Sequence, residues 1–399
     1  MTNYIGPIGE PFSWRDPKHE GFPREKKKEK ADMNEDNWKI SLLGTRRTGK
    51  TVYLGGLYQY YGDTDNEIND TPFYVYAPDS LSRGRLEAYA RGISEIPPDF
   101  PDGTLGIEPF PIEFNLETSA QGSGRVLKRT LSLIDHEGEA LKGSKDTEKA
   151  QRHDDVISEL KSFDAFIGFL SSEHLMKDSA ARDADWQTMR SIISDVADKL
   201  DRKDKLPVAI VLAKYDLAEA AGIEEEVLDR AQRMVAKLSE SIPNATFMIC
   251  PTNVVRTDGN NGWESDARPT NIAAPFLFST SGVVIRNAFL FSEKAKDERL
   301  NSARETQKIE ERKREMRGFW GWIKRSALNT GSRVERFVYD QRAKRNTRIA
   351  EGDIAFAQAA FETLTQLADE RGICFIYKGQ VLSSDRFSNE IMRLSGVYA

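Results

Sequence analysis

Eight consecutive residues, Gly44-Thr45-Arg46-Arg47-Thr48-Gly49-Lys50-Thr51, follow the pattern G-x-x-x-x-G-K-[ST] between an apolar run, Ile40–Leu43, and a stretch of helix-forming composition, Thr51–Tyr61. The chemistry this implies is a phosphate cradle. Two glycines let backbone N–H groups turn inward around an anion, and the start of a helix adds partial positive charge. Lys50 brings a point charge to the β and γ groups, the Thr51 hydroxyl can ligate Mg²⁺, and Gly44, Thr48, Gly49, Lys50, Thr51 and Val52 make up the expected phosphate-binding set. With glycine at about 7% of residues, the pattern arises by accident in a chain of this length on the order of one time in a hundred, before its context is required.

Two further apolar runs end in residues suited to the same ligand. Leu131-Ser132-Leu133-Ile134 leads into Asp135-His136-Glu137-Gly138, where Asp135 can hold a Mg²⁺ water and Gly138 can offer its N–H to a γ-phosphate. A hydroxyl from the loop before the second sheet strand would complete the metal shell; Thr104 is the candidate and Thr118 the alternative. Val208–Leu212 leads into Ala213-Lys214-Tyr215-Asp216. The Asp216 carboxylate can accept from both N1–H and the 2-amino group of guanine, whereas adenine presents no such donor pair, so the pattern favours GTP and GDP over ATP. The Lys214 stem would cover one face of the base. Farther on, Phe247–Cys250 ends in Pro251-Thr252-Asn253, where a backbone N–H can reach the guanine O6; Pro251 has none, which leaves Thr252 or Asn253.

The elements that must position these residues follow from periodicity. Short apolar runs at Ile40–Leu43, Ile112–Leu116, Leu127–Ile134, Ala165–Leu170, Val208–Leu212 and Thr246–Cys250 alternate with helical stretches at about Thr51–Tyr61, Asp146–Leu160, Asp185–Leu200 and Glu224–Ser241. This rhythm predicts an α/β P-loop fold, a mostly parallel sheet with helices on both faces. Domain organisation reads as a polar arm over 1–35 and a nucleotide-binding domain over 36–291, the latter interrupted by an insertion at about 62–108. A charged basic helical segment follows over 292–350, then a helix and strand over 351–399 that can complete the same domain.

Four ordered pieces, Gly44–Thr51, Asp135–Gly138, Ala213–Asp216 and Cys250–Asn253, resemble the G1, G3, G4 and G5 motifs of Ras-like, translation-factor-type (TRAFAC-class) GTPases. The long insertion, the Pro-rich loop around Thr104 and Leu-Ile-Asp-His-Glu-Gly-Glu resemble bacterial double-GTPase families of conflict and defence gene clusters. One set of motifs is present, so the resemblance implies a partner protein, either a second GTPase or an effector. Three positions depart from the pattern: Ala213 replaces Asn or Thr, Glu139 stands where Ras-like proteins carry glutamine, and Arg46 and Arg47 fill positions that are usually small. Two mechanisms are open. In one, Arg46 or Arg47 acts as an arginine finger in cis while Glu139 or His136 positions water; in the other, Glu139 repels the γ-phosphate and a partner is needed.

Composition narrows the setting. A net charge of −6 and a pI of about 5.6 argue against a general nucleic-acid binder. Two cysteines, Cys250 and Cys374, cannot build a disulfide framework or a zinc site, and the start has no signal-peptide pattern, so a cytoplasmic protein is expected. The most apolar stretch, Ile272–Phe291, is broken by Pro275, Ser279-Thr280-Ser281 and Arg286, and no transmembrane segment is predicted. Between Arg304 and Arg348 there are fourteen Lys or Arg against six Asp or Glu, beside Phe319, Trp320 and Trp322. This basic segment suits an acidic surface, with a protein contact preferred over membrane or nucleic acid. Three readings stand: a Mg²⁺-dependent GTPase switch, a non-catalytic GTP/GDP-binding scaffold, and an ATP-using P-loop protein.

Overall fold

A computed structural model describes residues 37–62, 73–95, 97–101, 107–118, 125–136, 158–160, 162–177, 180–198, 206–255, 269–315, 319–370 and 372–394. The chain divides between Glu35 and Asp36 into two units, and every described residue belongs to the second.

The centre of that unit is a nine-stranded sheet in the order β2-β3-β4-β1-β5-β6-β7-β8-β9. The strands are β1 (Asn37–Leu43), β2 (Phe73–Tyr76), β3 (Ile107–Thr118), β4 (Arg125–His136), β5 (Ala165–Ser171), β6 (Leu206–Ala213), β7 (Ala245–Thr252), β8 (Cys374–Tyr377) and β9 (Gln380–Leu382). The five central strands, β4, β1, β5, β6 and β7, run parallel, while antiparallel pairs extend the sheet on both sides. Every residue of β5, β6 and β7 is buried, as unbroken apolar runs in a doubly covered parallel sheet require.

Side chains alternate between two cores. On one face, Ile40, Leu42, Phe169 and Val211 meet α1 (Lys50–Gly62) through Tyr53, Leu54 and Leu57; on the other, Leu43, Phe166, Leu170 and Ile210 meet α4 (Ala180–Ala197) and α6 (Glu224–Ser241). Helix α6 reaches that core through Val227, Ala231, Val235 and Leu238, one stripe at helical spacing. Helix α2 (Ser80–Ile93) packs on α1, and two short helices, α3 (Ser172–Met176) and α5 (Asp216–Ala221), follow β5 and β6.

Two expected boundaries do not hold. The stretch 62–108, read as an insertion, contains β2, which is the outer strand of the main sheet, and α2, which packs so closely on α1 that a Cβ at Gly55 would lie 2.9 Å from the Tyr89 Cβ. Four residues of β2 are too few for a confident period, and Gly84 and Gly92 within α2 with prolines on both sides masked its helical pattern. The boundary at residue 291 falls inside a single helix, α7 (Ala274–Glu315). Its change from apolar to charged marks where the helix leaves the core, not where a domain ends. Pro275 sits in its first turn, where a missing N–H costs no helical bond. The helix is long and apolar enough by length and composition to cross a membrane, yet 72% of its most apolar window is buried, as in a core helix. Phe276, Leu277, Phe278, Val283 and Val284 fill the core, and Gly282 approaches Pro207 at the start of β6 so closely that a Cβ would clash at 2.5 Å.

Helix α8 (Phe319–Glu370) returns antiparallel to α7, one helix running through the boundary expected between 292–350 and 351–399. Polar contacts set its register: Asn287 Nδ2 donates to Asp353 Oδ2 at 3.1 Å, Ser302 Oγ to Asp340 Oδ1 at 2.8 Å, and Arg299 Nη2 to Thr347 Oγ1 at 3.1 Å. The basic segment is thus spread along both arms of this hairpin. Residues 316–318 lie outside the described residues, as does 146–157 of the second predicted helix. The strand expected at Ile373–Tyr377 is β8, and it pairs with β7 in the main sheet. Helix α9 (Ser384–Leu394) closes the C-terminal end: Phe387 stacks on Phe375 at 4.6 Å between ring centroids, and both touch Phe278.

Because Phe278 is fully buried at the junction of α7, β8 and α9, Phe278→Ala is expected to cost about 3–5 kcal/mol of unfolding free energy. Urea denaturation of the full chain would measure this; a loss under about 1 kcal/mol would show that this end of α7 is not core.

Candidate functional site

The phosphate loop sits where β1 feeds α1, at the carboxyl ends of the parallel strands. Its two glycines have separate reasons. A Cβ at Gly44 would come within 2.6 Å of Thr48 Oγ1 and 3.1 Å of the Phe169 Cβ, and Gly49 has φ +93°, a conformation that side-chain-bearing residues rarely adopt. Thr48, buried, closes the loop by donating from Oγ1 to the Thr45 carbonyl at 2.8 Å. Lys50 is 7% exposed and lies across the same loop, its Nζ donating to the carbonyls of Gly44 at 2.8 Å and Thr45 at 3.4 Å. Arg46 and Arg47 are exposed, Arg47 with a left-handed φ of 67°, and Val52 is half-buried in the first turn of α1.

Parallel pairing puts Asp135 beside Leu42, two residues before the loop begins. Asp135 is 0% exposed, accepts from Thr51 Oγ1 at 3.0 Å on Oδ2, and has Oδ1 4.0 Å from Lys50 Nζ. A hydroxyl and a carboxylate thus converge next to a buried ammonium. Burial pulls the Lys50 ammonium below the ordinary 10.5, and the Asp135 carboxylate offsets part of that shift. Among the described residues no three His, Cys, Asp or Glu side chains gather as a self-sufficient metal cage. Mg²⁺ bound with phosphates needs less: one or two protein oxygens, phosphate oxygens and water. Thr51 and Asp135 fit that requirement.

His136 ends β4, paired with Ile107. Gly138, Glu139 and Thr104 lie outside the described residues. The alternative hydroxyl, Thr118, is excluded. It pairs with Arg125 at the far end of the β3–β4 hairpin, whereas Asp135 pairs with Glu108; ten residues at about 3.4 Å each put it roughly 34 Å away along the strands.

The base-reading end is built from β6 and β7. Lys214 follows β6 with φ 58°, and its ammonium lies 3.9 Å from Glu173 Oε2 of α3. Asp216 is buried as the first residue of α5, and its N–H donates to Asn253 Oδ1 at 2.7 Å. Asn253 Nδ2 in turn donates to Glu219 Oε2 at 3.4 Å. Neighbouring Tyr215 donates to the Glu224 carbonyl at 2.8 Å, and burial pushes its phenol up to about 12. One expectation is corrected here: the Asn253 backbone N–H donates to the Thr270 carbonyl at 3.3 Å, and the Asn253 carbonyl accepts from Thr270 N at 2.7 Å. That N–H is committed to a bridge within the protein, and Thr252, the last residue of β7, pairs with Ala213 in the parallel ladder, where its N–H faces β6, so neither residue named for guanine O6 has its backbone donor free. The part Asn253 plays is through its side chain, which holds the Asp216 loop. Neither that contact nor those of Glu219 and Glu173 had a signal in the sequence, because each depends on how the ends of β5, β6 and β7 align.

A model of the family described as Double-GTPase 2 matches residues 39–260, more than half of the chain, from within β1 to just beyond Asn253. The chain belongs to the Double-GTPase 2 family. Membership implies a P-loop GTPase fold and guanine-nucleotide binding. No curated protein matches it. Among solved structures, the Ski7 GTPase-like domain of S. cerevisiae bound to GTP is 15% identical over 54% of this chain and 42% of that chain, with a TM-score of 0.30. The same domain bound to GDP and inorganic phosphate is 16% identical over 54% and 43%, again at 0.30. The chain therefore spans less than half the length of these structures, and at such scores the likeness decides nothing about the site. The Double-GTPase 2 match ends before α7 begins and leaves the whole α7–α8 hairpin outside it.

The lowered Lys50 value has a measurable consequence. Between that value and 10.5 the unfolded chain binds more protons than the folded one, so Lys50 makes stability rise with pH across this window. Urea midpoints of wild type and Lys50→Met, compared from neutral pH to 10.5, are expected to show a difference that grows in favour of wild type. A pH-independent difference would mean Lys50 carries no burial penalty.

Proposed function

We propose that this Double-GTPase 2 protein is a Mg²⁺-dependent GTPase that acts as a nucleotide-controlled switch for a partner protein in the cytoplasm, within a bacterial defence system. The observation that carries the reading is the convergence of Lys50, Thr51 and Asp135 at the carboxyl edge of the sheet, with Asp216 held two strands away. Lys50 would leave the loop carbonyls for the β and γ groups of GTP, an exchange favoured by the penalty its buried charge now bears. Thr51 and Asp135 would hold Mg²⁺, which supplies charge neutralisation between the β- and γ-phosphates. Gly44, Thr48, Gly49 and Val52 line the phosphate path, Asp216 accepts from the guanine edge, and Lys214 covers the ring. Thr104 would complete the metal shell, Gly138 would donate its N–H to the γ-phosphate, and His136 or Glu139 would place the attacking water.

The exposure of Arg46 and Arg47 is compatible with a finger in cis and equally with a solvated rim that attracts phosphate. The α7–α8 hairpin, which carries the basic segment, is the element through which a partner with an acidic surface, a second GTPase or an effector, would sense the nucleotide. The scaffold reading keeps one support: Glu139 in place of glutamine would slow hydrolysis.

Equilibrium binding of labelled GTP with Mg²⁺, competed by GDP, ATP and ADP while released phosphate is followed, tests the reading. Guanine-selective binding with phosphate release is expected, abolished in Lys50→Ala. Asp216→Ala is expected to lower the guanine-over-adenine preference on the order of a hundredfold or more. Selective binding without phosphate release would establish the scaffold instead, and equal competition by ATP would overturn the role given to Asp216.

A further inference from the structure

Three strand ends stand in one row at the site: Ser171 of β5 pairs with Ala213 of β6, and Ala213 pairs with Thr252 of β7. Strand alternation directs all three toward the α1 face. Phe169, Val211 and Cys250, each two residues earlier, belong to the core on that side, and Ala213 itself does too. The phosphate loop rests on this row. A Cβ at Gly49 would lie 3.8 Å from the Ala213 Cβ, and one at Gly44 would lie 3.1 Å from the Phe169 Cβ. The row is therefore the floor beneath the loop, between the phosphate cradle and the base-reading residues.

The polar groups on this floor differ in their commitments. Thr252 Oγ1 donates to the Cys250 carbonyl at 3.2 Å, and Ala213 has no polar atom where N/T-K-x-D proteins carry Asn or Thr. Ser171 is 4% exposed, and among the described residues its hydroxyl has no hydrogen-bond partner. The usual use for a serine at this point is also ruled out. Ser171 is the N-cap residue of α3, in extended conformation, yet its side chain makes no capping bond. A buried hydroxyl left without a partner opposes folding and is retained where another state satisfies it.

We infer that Ser171 is a positioning residue for the nucleotide. Its hydroxyl fastens the phosphate loop to the β5–β6 edge when GTP or GDP is bound, and so supplies from the neighbouring strand the polar link that Ala213 cannot. The hydroxyl donates to a backbone carbonyl of the loop, freed as Lys50 turns to the phosphates. The departure at Ala213 is then a relocation of the polar group by one strand rather than its loss. This inference rests on the guanine-nucleotide reading given above.

The test measures GDP affinity and, without nucleotide, the melting temperature of the full chain for wild type, Ser171→Ala and the swap Ser171→Ala/Ala213→Ser. Ser171→Ala is expected to bind GDP about tenfold more weakly, the equivalent of one good hydrogen bond, with a melting temperature equal to or above that of wild type. The swap, which moves the hydroxyl one strand without changing total volume, is expected to bind within about threefold of wild type. Unchanged affinity in Ser171→Ala, a lowered melting temperature in that variant, or a swap as weak as the single change would each overturn the inference. Failure of wild type to bind GDP would strike the guanine reading itself, which separates the two.

Discussion

Parallel pairing of β1 with β4 is the constraint on which the site depends. It brings Asp135 alongside Leu42, close enough for Thr51 to donate to it and for Lys50 to sit beside it. A carboxylate that is completely buried would be costly alone; here a hydroxyl and an ammonium offset that cost, and the same three groups are those a nucleotide with Mg²⁺ would use. Shifting the pairing by one residue would turn Asp135 to the opposite face of the sheet and dissolve the cluster.

The base-reading end relies on a different kind of support. Asp216 is fixed by the side chain of Asn253, and Asn253 is fixed by its backbone bridge to Thr270, so the end of β7 acts as a brace for the loop after β6. The brace and the phosphate loop meet over the row of Ser171, Ala213 and Thr252. The phosphate loop and the loop after β6 therefore share one floor of packed strand ends.

Helix α7 ties this floor to the rest of the chain. Its first half packs beneath β5 and β6 through Phe276, Phe278 and Val284, and Arg286 pairs with Asp164, whose other oxygen accepts from Lys39 N of β1 at 3.0 Å. Its second half leaves the core and pairs with α8. A single stiff element thus runs from beneath the strands that carry the site into a hairpin beyond the family match, and α8 comes back to deliver β8 and β9 to the sheet edge.

The phosphate loop, Asp135, the Asp216 loop and the six main strands were legible in the sequence because each is local: a glycine spacing, an apolar run of strand length, a charged residue just after it. Helix α7 was split in reading because composition changes along it while its hydrogen-bonding does not. Strand β2 and helix α2 were missed because Gly and Pro around them outweighed a four-residue run. What the sequence by itself determined was the identity of the groups available for phosphate, metal and base. What only the tertiary structure decided was which of them meet: that Thr51 reaches Asp135 across 84 residues, that Thr118 lies at the wrong end of its hairpin, that the Asn253 N–H is already spent on Thr270, and that Ser171 stands opposite Ala213. The physical reason is strand register, which is fixed by burial on both faces of a shared sheet and leaves no trace in the spacing of any single segment.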